Sequence, residues 1–222
     1  SVLNFVLVDY KGGGTFEAFK DLPHCVDIIT NLNDSISRMF MAITAELERR
    51  QRLLLDAKVN SIVEYRRRGL HERGEGSALP FLFIVIDEFA EMIADRAEYR
   101  AQLEKITRIG RSLGVSLILA AQQPSGISDQ MRSNIKFRIC LRVESPGQSR
   151  EMLNRTDAAY LPPGIPGRGY LQVGNEDIDL VQMAYAGGVS REQQQRAELS
   201  VIWPKRNGGN AELDTEPREL YR

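Results

Sequence analysis

Six consecutive apolar residues, Phe81 to Ile86, run without a charge and stop at two adjacent carboxylates, Asp87 and Glu88. The run is far short of the roughly 18 residues that a membrane-crossing helix needs. It is rich in β-branched and aromatic residues and apolar at every step, so it reads as a strand covered on both faces. Asn4 to Asp9, Cys25 to Thr30, Val115 to Ala121 and Phe137 to Val143 continue the series. Between them the apolar spacing becomes helical. Ile36, Phe40, Ile43, Leu47 and Leu54 follow the N-cap candidates Asn33 and Asp34, in a segment that runs on towards Arg68 past a break near Val59. A second helix is expected over Glu98 to Leu113. Strands alternating with helices predict an α/β fold, doubly wound around a mostly parallel sheet with helices on both faces. Ligands of such sheets bind beyond the carboxyl ends of the strands, where Asp87 and Glu88 stand.

A chain of 222 residues has room for one such domain. Tyr170 to Val173 and Ile178 to Ala186 predict a closing pair of strands, and Gly187-Gly188 ends the core, so residues 1–188 form the domain. Residues 189–222 are expected to be a short helix, Ser190 to Leu199, and a linker. Lys+Arg number 29 against 30 Asp+Glu, a net charge of -1, so no global basic field exists to hold nucleic acid. Cys25 and Cys140 lie in apolar runs and are expected to be buried thiols of a reducing compartment. With only His24 and His71 beside them, no zinc-binding spacing can be written. No signal peptide opens the chain, which predicts a soluble, cytosolic piece of a longer polypeptide.

An apolar strand that delivers two carboxylates at its C-terminal end is the Walker B arrangement of nucleotide hydrolases. Successive strand residues point to opposite sides, so Asp87 can orient a Mg²⁺ shell while Glu88 polarises the attacking water. Solvated acids, or an Asp that N-caps the next helix, give the same pattern. The following strand ends in Ala121-Gln122-Gln123, which sets the Gln122 amide one strand along from the acids.

"LPFLFIVIDEFAEM", "RIGRSLGVSLILAAQQPSG" and "MRSNIKFRICLRV", in that order, resemble the FtsK/SpoIIIE superfamily of RecA-like motor ATPases. "NFVLVDYKGGGTFEAFKDLPH" and "YLPPGIPGRGYLQVG" are most similar to the EccC/EssC ATPase domains of type VII secretion systems. The resemblance implies a RecA-like sheet, with ATP and Mg²⁺ as cofactors of the complete domain. It implies Asp87 as the magnesium-shell acid, Glu88 as the catalytic base and Gln122 as the strand-end sensor. Asp9 and Lys11 match a family Asp-x-Lys pair and are expected to shape the nucleotide site. An arginine acting in trans is implied as well, with Arg138, Arg142 and Arg132 as candidates and Arg111 behind them. The implied partners are neighbouring ATPase domains or subunits in a ring, secreted protein substrates and, through parts outside this chain, a bacterial inner-membrane complex.

One element of that pattern is missing. A P-loop requires Gly-x-x-x-x-Gly-Lys-Ser/Thr, yet none of the six lysines follows Gly or precedes Ser or Thr. The N-terminal P-loop unit is therefore expected to lie before Ser1, leaving this chain inactive in hydrolysis by itself. The alternatives are a DNA translocase and a substrate-docking pseudo-ATPase that does not hydrolyse. Two further patterns are expected to be decoys. Gly110-Arg111-Ser112-Leu113-Gly114 spells a nucleophile elbow, but a helix precedes it and a strand follows, the reverse of what an elbow needs. Arg66-Arg67-Arg68 with Arg73 reads as a solvated helix end.

Overall fold

The structure is a computed structural model. It describes residues 2–186 apart from 13, 31, 33, 75–77, 124–126 and 176. Two compact units divide the chain, Ser1–Gln182 and Met183–Arg222. The expected Gly187-Gly188 ending, the Ser190 to Leu199 helix and the linker lie outside the described residues.

In the first unit, β1 (Leu3–Asp9), β2 (Cys25–Thr30), β3 (Phe81–Asp87) and β4 (Val115–Leu119) form a parallel sheet in the order β2-β1-β3-β4. Parallel pairing requires crossovers. The helices α1 (Ser35–Asp56) and α2 (Ile62–Arg67) connect β2 to β3, and α3 (Phe89–Asp95) and α4 (Glu98–Leu113) connect β3 to β4. Register places Val6 opposite Ile84 and Val8 opposite Ile86. These four residues form one core with Ile36, Phe40, Ile43 and Leu47 of α1 and Leu103 and Ile106 of α4. On the other face Phe5 and Phe83 touch, with ring centroids 6.0 Å apart. Ile118 of β4 remains 47% exposed there, so this edge strand is covered on one side more fully than on the other.

The helices end for local reasons. Asp34 stands at the N-cap of α1, but in a left-handed conformation with no side-chain cap bond; it pairs instead with Arg96 at 3.2 Å. Asn33 lies outside the described residues. Arg50 of α1, 1% exposed, donates to the carbonyl of Leu113 at 2.8 Å and so satisfies the C-terminal end of α4. Its guanidinium is balanced by Glu46 at 2.7 Å. Burial pushes the Glu46 carboxyl up, but hydrogen bonds from Arg49 and Arg50 outweigh it and hold it below its ordinary value. A depressed carboxyl stabilises the fold above its unfolded pKa and loses that contribution as pH falls through its folded one. Glu46→Gln is expected to cost stability at neutral pH and to flatten the acid limb, as measured by chemical denaturation from neutrality to about pH 3.

The decoy motif is a packing device. A Cβ on Gly110 would stand 2.4 Å from the backbone oxygen of Val115, and Gly114 turns at φ +71 against Ile62. Ser112 lies in the last turn of α4, its hydroxyl donating to the Ile109 carbonyl at 3.0 Å. Gly110→Ala is expected to destabilise the domain by about 1–3 kcal/mol, because the clash is with backbone; urea denaturation measures it. The arginine run is likewise structural in part. Arg66 donates to the Leu79 carbonyl at 2.9 Å, and Arg68 pairs with Glu64.

The segment Phe137 to Val143 corrects an expectation. It supplies β5 (Phe137–Leu141), which joins β6 (Arg168–Val173) and β7 (Asp177–Gln182) in a separate antiparallel sheet, in the order β5-β6-β7. Its side chains alternate, with Arg138 and Cys140 inward and Phe137, Ile139 and Leu141 at 61%, 50% and 49% exposure. That is the half-buried pattern of an antiparallel strand. Cys140 is buried as expected, whereas Cys25 is only half-buried. Two short helices had clear but unread signals: α5 (Asp129–Asn134) is capped by Ser128, and α6 (Pro146–Leu153) by a Ser145–Gln148 capping box with Pro at its start. No helix among the described residues is long and apolar enough to cross a membrane.

Candidate functional site

β1 and β3 end side by side, Asp9 opposite Asp87, so two carboxylates leave the same edge of the sheet. Their tasks differ. Asp9, 3% exposed, accepts the backbone N–H groups of Gly12 and Thr15, each at 2.9 Å. It folds the glycine loop back on itself, and positive φ at Gly12 and Gly14 makes glycine necessary there. Asp87 is half-buried, one oxygen accepting the N–H of Glu88 at 3.1 Å and the other standing 3.5 Å from the Thr15 hydroxyl.

Glu88 adopts a left-handed conformation, φ 56 and ψ 40, rare for a residue with a Cβ. It turns the chain from β3 into α3, so the two carboxylates diverge from adjacent positions. The turn is held from β4. Phe89 N–H donates to the Ala120 carbonyl at 3.1 Å, and Ala120 N–H to the Ile86 carbonyl at 2.9 Å. This irregular pairing past Leu119 brings Gln122 to the acids, and its Nε2 donates to Glu88 Oε1 at 2.6 Å. The strand itself stops two residues earlier than expected.

Lys11 Nζ reaches the same cluster, 2.8 Å from Glu91 and 3.5 Å from Glu88. The Glu91 hydrogen bond raises the lysine above its ordinary pKa, burial opposing and Glu88 adding to the rise. Next to it Tyr10, 7% exposed, donates its hydroxyl to Asp95 at 2.7 Å. Burial, with Asp95 second, pushes this phenol up to about 12. The end of β1 thus fastens both ends of α3. A cavity of about 240 Å³ opens here, lined by Glu88, Ala90, Glu91, Ala94, Gln122 and Gln123. A larger groove of about 470 Å³ lies between α1 and α4, lined by Phe40, Met41 and Tyr99, and holds none of the expected site residues.

The structure therefore gathers Asp9, Lys11, Asp87, Glu88 and Gln122 at one sheet edge. Sequence reasoning missed Tyr10, Thr15 and Glu91. Glu91 was legible as the acid one helical turn after Glu88, whereas Tyr10 and Thr15 carried no signal beyond their closeness to Lys11. The arginines lie elsewhere. Arg138 is 2% exposed and donates to Gln172 at 3.1 Å, the Arg132 carbonyl at 3.2 Å, Asn175 at 3.2 Å and the Gly174 carbonyl. Burial, with Arg132 second, lowers its pKa. All three guanidinium nitrogens are engaged, by β6, by the turn that follows it and by the last turn of α5. Arg142 and Arg111 are exposed, and among the described residues Arg142 donates through Nε alone, to the Leu161 carbonyl at 3.1 Å. Arg132 is half-buried, 3.4 Å from Asn154.

Comparison with known proteins places this edge in a family context. The chain is 46% identical over 187 residues to the type VII secretion system protein EssC of Staphylococcus aureus (strain Mu50), a match covering 82% of the chain and 12% of that protein. This chain thus spans about an eighth of the length of the curated relative. Among solved structures, the cytoplasmic domain of the type VII secretion ATPase EccC of Thermomonospora curvata superposes with TM-score 0.76 at 38% identity, covering 86% of this chain and 23% of that one. The pCW3 conjugation coupling protein TcpA, solved with ATPγS, superposes with TM-score 0.69 at 26% identity, covering 81% and 51%. The FtsK/SpoIIIE family model matches residues 1–155, from the first strand of the parallel sheet through α6, and with it the whole carboxylate edge. By that match the chain belongs to the FtsK/SpoIIIE family, whose members bind nucleotides.

Proposed function

We propose that this chain is the hydrolytic half of a motor ATPase domain that drives type VII protein secretion from the cytoplasmic side of a membrane complex. One observation carries the reading: the buried Glu88 carboxylate, bonded to Gln122, beside Asp87 at the open end of a parallel sheet. Glu88 is placed to take the proton of an attacking water, and Gln122 to hold that carboxylate in line and to sense the terminal phosphate. Asp87 fits a magnesium shell. It is a half-buried oxygen donor, and Mg²⁺ is commonly held by one or two carboxylates together with substrate phosphates and waters. Among the described residues no group of three or more His, Cys, Asp or Glu gathers to hold a metal unaided, so the phosphates of ATP would complete the shell. Asp9 acts indirectly, by shaping the glycine loop. Arg142, exposed and, among the described residues, bonded only through Nε, is the arginine offered to a neighbouring subunit in the ring.

The phosphate grip is a strand–loop–helix unit absent from these residues. β4 and β5 each form the outer strand of their sheet and offer an edge to such a unit. The test is a pair of assays. The 222-residue chain is expected to bind Mg-ATP weakly and turn over none, and the same chain joined to a P-loop unit is expected to hydrolyse. Turnover by the chain alone would refute the division of labour. Binding to duplex DNA with a steep salt dependence would favour a translocase over a secretion motor.

A further inference from the structure

We propose that Lys11 and Glu91 are positioning residues that form a latch on Glu88, and that the sharing of one ammonium between the two carboxylates sets how readily Glu88 is released to act on water. The inference rests on the reading of Glu88 as the catalytic base.

The side chain of Glu88 is 9% exposed, so its charge requires partners. Among the described residues two partners meet the same oxygen, Oε1: Gln122 Nε2 at 2.6 Å and Lys11 Nζ at 3.5 Å. An oxygen engaged by an amide and an ammonium is not free to meet the proton of an attacking water until one of them lets go. In this arrangement Glu88 is held rather than poised. The lysine stands nearer Glu91, at 2.8 Å, whose side chain is 50% exposed. Glu88 stands at the N-cap of α3 and Glu91 in its first turn, and both carboxylates face Lys11 there.

The frame around this triad is fixed. Asp9 ties down the loop that follows Lys11, and Tyr10 ties the far end of α3 through Asp95. Moving the ammonium between the carboxylates needs only rotation of the lysine stem, with no backbone change. The cavity of about 240 Å³ bounded by Glu88, Glu91 and Gln122 leaves room for a water beside the Glu88 carboxylate. Glu91 competes for Lys11 and thereby weakens the hold on Glu88.

The signs follow. In the ATPase completed by its P-loop unit, Lys11→Met is expected to raise basal kcat several-fold with KM for ATP unchanged. Glu91→Gln delivers the ammonium wholly to Glu88 and is expected to lower kcat several-fold. The double variant should behave as Lys11→Met, because Glu91 acts only through the lysine. A merely structural ion pair predicts instead that both single variants lose stability and activity together, and that result would overturn the latch. A second readout needs no turnover. Carbodiimide coupling on the 222-residue chain, which joins a carboxylate to an adjacent amine, followed by mass spectrometry, is expected to yield mainly a Lys11–Glu91 crosslink, replaced by Lys11–Glu88 in Glu91→Gln. Failure of that replacement overturns the proposal whatever the activity shows. A Glu88→Gln enzyme that still hydrolyses ATP would remove the catalytic reading itself, and the crosslinks tell the two failures apart.

Discussion

Glu88→Gln in the completed ATPase is expected to lower kcat by about 10²–10⁴-fold, the usual contribution of a positioned general base, with ATP affinity unchanged. The substitution is isosteric and keeps an oxygen for the Gln122 amide, which donates at 2.6 Å. It keeps the shape of a side chain whose residue is buried and whose backbone is left-handed, so the fold should be undisturbed. The capacity to accept a proton is lost, together with the charge that faces Lys11 at 3.5 Å. Single-turnover hydrolysis alongside equilibrium nucleotide binding measures the two quantities separately. A variant that binds normally and hydrolyses at the wild-type rate would refute Glu88 as base. A variant that fails to bind would point to a role in the nucleotide grip.

The second large effect separates two arginines only four residues apart. Arg142→Ala is expected to slow turnover by about 10³-fold or more, as loss of a transition-state arginine does, without a change in melting temperature. Among the described residues its guanidinium makes a single bond, through Nε to the Leu161 carbonyl. Arg138→Ala should do the reverse. It strands the Gln172 and Asn175 oxygens and the carbonyls of Arg132 and Gly174 around an emptied buried site. The expected cost is about 2–4 kcal/mol, since buried acceptors left unpaired bear their full desolvation penalty. Thermal melts paired with ATPase rates decide the assignment. A stable but inactive Arg138→Ala protein would return that residue to the trans role.

The two arginines show where legibility stopped. Both sit in a stretch that resembles the family, and both carry the same charge on the same strand or just past it. The alternation that turns Arg138 inward is set by pairing with β6, more than thirty residues later, and no local pattern announces that partner. The same distant pairing moved Phe137 to Leu141 out of the expected parallel series and into an antiparallel sheet. Elements defined by local chemistry fared better. Glu98–Leu113 forms α4 with the expected bounds, because its apolar stripe and Gly114 define it without help. Phe81–Asp87 is β3 for the same reason. The short helices α5 and α6 escaped because too few residues carry a period, although their serine caps were readable.

At the carboxylate edge the division is sharper. The chain's order of residues determined that Asp87 and Glu88 follow an apolar strand, that Gln122 follows the next one, and that no lysine here has the neighbours of a phosphate-binding loop. These are properties of adjacency, and adjacency is what a sequence records. Only the tertiary structure decided that Asp9 turns inward to its own loop, that Tyr10 and Lys11 fasten α3, and that Glu91 shares an ammonium with Glu88. Those contacts join residues up to 85 positions apart. They exist because the parallel register sets Asp9 beside Asp87, a juxtaposition that arises from strand pairing and from no feature of either segment alone.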